Sequence, residues 1–192
     1  MDESHSLVYY PLGQLERQAA RFDGVSQALH WLTLLLVIGQ FLSGVLHDQR
    51  HGAAAELLLT IHRSGGIATW IVVLIRLLWR HWFAYLPPFP AAMPRAQRWA
   101  AKLNEYGLYA LLLALPLTGL ATMVIFGHPF TLFQWQIPAL MTQDKPLAHM
   151  LKEIHETGAW IFALLIGLHA AAALFHGLVL RDRVLQRMLP DL

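Results

Sequence analysis

Four stretches of this chain are apolar over lengths that can cross a bilayer, and polar segments separate them. They run from about Val25 to Leu46, from Leu57 to Trp79, from Tyr106 to Phe126, and through a fourth segment that ends near Leu180. A hydrocarbon core about 30 Å thick takes roughly 20 residues of helix at about 1.5 Å per residue. The pattern predicts an all-α, integral membrane four-helix bundle. The fourth segment is the clearest of the set. From Ala159 to Leu174 it has no charged side chain, and His169 is its one ionisable group.

The connections follow from the same pattern. Residues 1–24 are expected to be a polar, cytoplasmic N-terminal tail, and residues 25–192 a single transmembrane domain with no internal repeat. The tail has no apolar core of its own, so the first span is expected to act as its own insertion signal. Arg80 to Lys102 is basic and contains Pro87, Pro88, Pro90 and Pro94, which predicts a surface connection without a long helix. Pro116 and Gly119 predict a kink in the third span, which is expected to shape a pocket without ligating anything. Residues 127–148 carry Phe130, Phe133 and Trp135, aromatics suited to an interface, and are expected to form a lid.

Composition supports the membrane assignment: 56% of the 192 residues are hydrophobic and 14% charged, with a mean hydropathy of +0.45. The positive charges are distributed as a topology signal rather than as a nucleic-acid surface. Arg17, Arg21, Arg76, Arg80, Arg95, Arg98, Lys102, Arg181, Arg183 and Arg187 fall on one side of the four spans, and Arg50, Arg63, Lys145 and Lys152 on the other. Both termini are therefore expected in the cytoplasm. The chain has no cysteine, which excludes disulfides, thiolate metal sites and covalently attached haem.

Histidines inside the spans carry the candidate chemistry. His155, His169 and His176 share one face of the fourth helix at about 100° per residue, beside Gly158, Phe162, Ile166, Ala172 and Ala173. His155 and His169 lie roughly 21 Å apart along the axis, one toward each side of the membrane. His30 enters with the first helix from the side where the fourth helix ends, and His62 enters with the second from the side where the fourth begins. The depths pair His30 with His169 and His62 with His155. An ionisable group in hydrocarbon costs roughly 2.5 kcal/mol or more if charged and faces a partner in the protein interior. Two facing imidazoles are a common means of holding a haem iron, so the pairs predict two haems at two depths. Gly65 and Gly66 would clear space beside His62 for a flat group, or serve helix packing alone. His5, His47, His51, His81, His128 and His149 fall in the tail or in expected loops and are taken as solvated.

The elements SQALHWLT, TIHRSGGI with RLLWR, LALPLTGL, and LKEIHETGAWIFALLIGLHAAAALFHG followed by RDRVLQRMLP resemble the bacterial cytochrome b561 family, which includes the superoxide oxidases. The resemblance runs from about Val25 to Pro190. It implies four transmembrane helices in the bacterial inner membrane, two b haems with bis-histidine ligation, and electron exchange with ubiquinone. The ligand positions it implies are His30, His62, His155 and His169. It also places His176 where a quinone pocket is expected near the cytoplasmic surface.

The function expected is electron transfer from a donor at the outer face, superoxide in the more specific version, through two haems to ubiquinone. Arg63 and Lys152 flank the outer ligands and could draw in an anion. The outer segments set Asp48, Glu56, Asp144, Glu153 and Glu156 against four cations, so steering by overall charge is not expected. Arg76 is expected to snorkel or to pair with a haem propionate, and could also stand near quinone. One alternative is a haem-bearing membrane anchor that passes electrons between a partner dehydrogenase or hydrogenase and quinone. A haem-free, histidine-based metal transporter is another.

Overall fold

The computed structural model describes residues 21–90 and 92–189; the expected N-terminal tail lies outside them apart from 21–24. Four long helices, α1 (Gly24–Asp48), α2 (Ala53–Trp82), α3 (Arg95–Ile125) and α4 (Lys145–Leu174), form the body. With 25 to 31 residues each, they are roughly 37 to 46 Å long. All four are long and apolar enough to cross a membrane. Leu35 and Leu164 are 67% and 63% exposed on their outer faces, which suits lipid and not water. A π-helical turn, Phe175–Leu180, extends α4, and a 3₁₀ turn, Leu185–Met188, follows it.

Local chemistry sets the helix starts. Asp23 caps α1: one carboxylate oxygen accepts the Ser26 N–H at 2.9 Å and the other the Ser26 hydroxyl at 2.6 Å, which satisfies donors that a helix N-terminus leaves free. Trp79 of α2 donates its indole N–H to the same carboxylate at 3.0 Å, tying the start of α1 to the end of α2. Asp144 caps α4 by accepting the Leu147 N–H at 3.1 Å, and Pro146 sits in the first turn, where its missing N–H costs nothing.

Helix α3 corrects an expectation. The segment ending at Lys102 is not a surface connection throughout, because helix begins at Arg95. Every proline of the run lies at or before the cap position, Pro94, where no N–H is needed. Arg98 then reaches back to the Met93 carbonyl at 2.9 Å and the Pro90 carbonyl at 3.3 Å, fixing the entry angle. Pro116 lies inside α3, which continues through it.

The helices form two hairpins. α1 packs along α2 and α3 along α4, and the hairpins meet mainly through α2 and α3. A small core takes one buried residue from each helix, Val37, Val73, Leu112 and Phe162, and Phe41 of α1 stacks on Phe162 with ring centroids 6.2 Å apart. Buried Thr33, Ser43, Thr69 and Thr122 bond carbonyls of their own helices, as Thr33 does to Leu29 at 2.6 Å and Thr69 to Gly65 at 2.7 Å, which satisfies these hydroxyls in a dry interior.

Residues between α3 and α4 contain a small hairpin, β1 (Phe130–Leu132) and β2 (Trp135–Ile137), paired antiparallel with Leu132 opposite Trp135. Its two-residue tip places Phe133 at φ 55, a left-handed conformation costly for a bulky residue. The Phe133 N–H donates to the Ser64 hydroxyl oxygen of α2 at 2.6 Å, and Phe130 is buried. The hairpin thus docks on α2 two residues beyond His62. At the opposite end, the last segment folds back over the start of α1: Trp31 donates to the Met188 carbonyl at 2.8 Å and Arg187 to the Pro88 carbonyl at 2.6 Å.

Candidate functional site

Four of the singled-out histidines meet in two pairs at two levels of the bundle. His30 of α1 faces His169 of α4 with ring centroids 6.1 Å apart and planes inclined at 51°. His62 of α2 faces His155 of α4, also at 6.1 Å, with planes at 80°. His30, His62 and His155 are half-buried, and His169 is exposed. The first pair lies toward the end where α1 starts and α4 stops, the termini end, and the second toward the β-hairpin.

The hairpin-level pair is held by two matching clamps. Nδ1 of His62 lies 3.0 Å from the Gln40 carbonyl oxygen and 3.2 Å from the Ser43 hydroxyl. Nδ1 of His155 lies 3.0 Å from the Leu115 carbonyl oxygen and 3.1 Å from the Thr118 hydroxyl. A carbonyl only accepts, so both Nδ1 atoms carry the proton and both Nε2 atoms keep a free lone pair. A glycine completes each clamp: a Cβ on Gly44 would stand 3.2 Å from Cε1 of His62, and one on Gly119 3.1 Å from Cε1 of His155. Carbonyl, hydroxyl and glycine sit at the same spacing in QFLSG of α1 and LPLTG of α3. No repeat was expected, because the flanking sequences differ and only these few positions touch a ring. The third span therefore does more than shape a pocket: it positions His155.

The other pair has different company. Arg76 of α2, fourteen residues beyond His62, is not at the surface as a snorkelling side chain would be. Its Nη2 lies 3.1 Å from Nδ1 of His30, and its guanidinium stands 5.3 Å from the centre of the Tyr109 ring. The length of α2 beyond Arg76 leaves it below the surface, where an imidazole and an aromatic face are the available partners. Nearby, Arg80 and Glu105 pair at 2.6 Å.

His176 lies in the π-helical turn beyond His169, with Nδ1 2.5 Å from an Asp182 carboxylate oxygen. Burial alone would raise the Asp182 carboxyl, but the hydrogen bonds from His176 and from the Val184 N–H outweigh it and hold the carboxyl below the ordinary value. Arg181 and Arg183 adopt φ of 52 and 64, turning the chain sharply enough to bring Asp182 back to the ring. The sequence offered no sign of this partner, because the tight turn that creates it is built from two non-glycine residues.

Gly65 and Gly66 face the Gln40 side chain of α1, so they serve helix packing. Of the remaining histidines, His51, His81, His128 and His149 are exposed, whereas His47 is half-buried at the end of α1 with Nδ1 3.2 Å from the Ala55 carbonyl. His5 lies outside the described residues. The flanking cations are both engaged, Arg63 with Glu56 at 3.9 Å and Lys152 with Glu156 at 3.3 Å.

These residues fit a haem. A metal–imidazole bond is about 2 Å long, so two rings facing one metal stand roughly 6 Å apart between centroids, as both pairs do. Arg63 Nε and the Trp70 indole N–H are buried without a hydrogen-bond partner, donors suited to an acceptor such as a propionate. Among the described residues, no three His, Asp or Glu side chains converge on a point that would hold a bare metal ion.

Residues 21–191 match the model of the prokaryotic cytochrome b561 family. The chain belongs to this family. It is 35% identical over 175 residues to cytochrome b561 homolog 1 of Escherichia coli strain K12, covering 88% of this chain and 97% of that one. Identity to cytochrome b561 homolog 2 of the same organism is 31% over 176 residues, 88% and 91% of the two chains. A probable superoxide oxidase CybB of Yersinia pestis is 33% identical over 170 residues, 88% and 96% of the two chains. With four helices long enough to span, the chain is a multi-pass bacterial membrane protein for electron transfer, in a family that binds haem b and acts with quinones.

Proposed function

We propose that the chain holds two b haems, one between His30 and His169 and one between His62 and His155, and conducts electrons from superoxide to ubiquinone. The observation that carries this reading is the pair of histidine couples at equal 6.1 Å spacing on two levels. The likeness to a probable superoxide oxidase supports the donor. The lysine and arginine bias supports placing the termini end in the cytoplasm, and the membrane is then the bacterial inner membrane.

Haem b, when bound, supplies one-electron exchange at each level. The protein's part is to seat it, exclude water and manage protons. Gln40, Ser43, Leu115 and Thr118 fix the ring orientations of His62 and His155. Two superoxide anions each give up one electron and leave as dioxygen, and one quinone takes both electrons with two protons. His176 is proposed to face that quinone. With Nδ1 bonded to Asp182, its Nε2 is free to donate to a quinone carbonyl, and the carboxylate stabilises the imidazolium that supplies a proton.

The test is rapid mixing of purified protein with superoxide while the haem spectrum is followed, with and without ubiquinone. Reduction that accumulates without quinone and is drained by it is expected. Haem that superoxide leaves oxidised, but that a co-purifying dehydrogenase or hydrogenase reduces, would overturn the donor and establish the anchor role. His176→Ala should keep both haems and their reduction but slow their reoxidation by quinone. Unchanged reoxidation, or loss of a haem, would remove His176 from the quinone site.

A further inference from the structure

The two histidine pairs are treated oppositely at Nδ1. At the hairpin level both rings give that proton to a carbonyl, Gln40 and Leu115, at 3.0 Å. Such a bond makes the ring a stronger electron donor through Nε2 and so favours the oxidised, more positive metal. At the termini level neither ring has a carbonyl acceptor among the described residues: His30 Nδ1 faces Arg76, and His169 meets the His30 ring with Arg76 and Glu105 nearby.

A guanidinium donates and never accepts. In the contact with Arg76, His30 Nδ1 therefore accepts, and its proton sits on Nε2. Ligation through Nε2 would require the other neutral tautomer, with the proton moved to Nδ1 and that N–H turned away from Arg76, whose permanent charge would remain over the Tyr109 ring beside the pair.

The surrounding charges reinforce the contrast. Around the termini-level pair stand Arg76, Arg80 and Glu105; the carboxylate pairs with Arg80 at 2.6 Å and also acts on Arg76, so the two cations and one anion leave a net positive charge there. Around the hairpin-level pair, Arg63 is matched by Glu56 and Lys152 by Glu156. A fixed positive charge in a low-dielectric site favours the state that has gained an electron.

We propose that Arg76, set against the carbonyl clamps at Gln40 and Leu115, builds a redox gradient into the bundle, so that an electron is held more tightly at the His30–His169 level than at the His62–His155 level. One electron leaving the hairpin level oxidises that site by one unit and reduces the other by one unit. Each electron then rests mainly at the His30–His169 level, the end proposed to serve quinone. Arg76 acts by its charge beside the His30–His169 level and touches no reacting atom.

The inference rests on the two-haem reading, and potentiometric titration of the purified protein separates the two. Haem is first counted against protein; a ratio of one would sink both. With two haems present, the optical titration should resolve a higher and a lower midpoint. His169→Ala should leave only the lower one, and His155→Ala only the higher. Arg76→Gln should make the ferrous-to-ferric ratio of the higher component at least tenfold smaller at fixed potential, a shift of about 59 mV for one electron. Arg76→Lys should restore most of it. Two haems with the reverse assignment, or a higher midpoint that Arg76→Gln leaves in place, would overturn the gradient while leaving the two-haem reading intact. If Arg76→Gln loses a haem, the His169→Ala and His155→Ala assignments still decide the order.

Discussion

Gly119 supports His155 from below: a Cβ at that position would stand 3.1 Å from the ring's Cε1. The ring is seated against bare backbone, with its Nδ1 proton given to the Leu115 carbonyl. Gly119→Ala should push the ring off that seat and weaken haem retention at this level by roughly 10- to 100-fold, the usual cost of disturbing a ligand's supporting contacts. Gly44→Ala should do the same through His62. Haem content after competition with apomyoglobin checks both, and full retention in both variants would show that the clamps do not matter.

The hairpin tip gives a second expectation. Ser64 accepts the Phe133 N–H at 2.6 Å and holds a bulky residue at positive φ. Ser64→Ala should cost about 1 kcal/mol of local stability and free the tip. Chymotrypsin should then cut after Phe133 or Trp135 several-fold faster, whereas an unchanged rate would mean that the hairpin is held elsewhere.

The Asp182 carboxyl is held below its ordinary value of 3.8, because the hydrogen bonds from His176 and Val184 outweigh burial. A depressed carboxyl contributes stability that is fully present above the unfolded value and is lost as pH falls through the folded one. The C-terminal turn should therefore stay docked at neutral pH and loosen only below 3.8. Pepsin cleavage near Leu185 should rise there. Asp182→Asn should expose Arg181 and Arg183 to trypsin at pH 7; a variant as resistant as wild type would contradict the turn's dependence on this pair.

Sidedness is checked by a reporter fused after Leu192. The excess of lysine and arginine at the termini end predicts cytoplasmic activity. Periplasmic activity would exchange the ends of the proposed circuit.

Much of the architecture could be read from periodicity, because hydrocarbon imposes one simple rule on length and polarity, and the ring pairing followed from depth along α1, α2 and α4. What stayed hidden was of another kind. The start of α3 at Arg95 depended on Arg98 bonding back to Met93 and Pro90, a contact that a count of prolines cannot reveal. The clamps on His62 and His155 use backbone carbonyls, which every residue has, so only the Ser43–Gly44 and Thr118–Gly119 pairs carried a signal. Arg76 was expected to snorkel, to pair with a propionate or to stand near quinone, and its contact with His30 depends on the rotation of α2, which the sequence does not display.

The central claim is that four histidines hold two haems in the pairs the structure shows. Pyridine haemochrome quantitation against protein mass, on wild type and the four single His→Ala variants, tests it most directly. The expected ratio is near two for wild type. His62→Ala and His155→Ala should lose the same spectral component, and His30→Ala and His169→Ala should lose the other. A fully loaded wild type with one haem, or a His30→Ala variant that loses the component His155→Ala loses, would contradict the account.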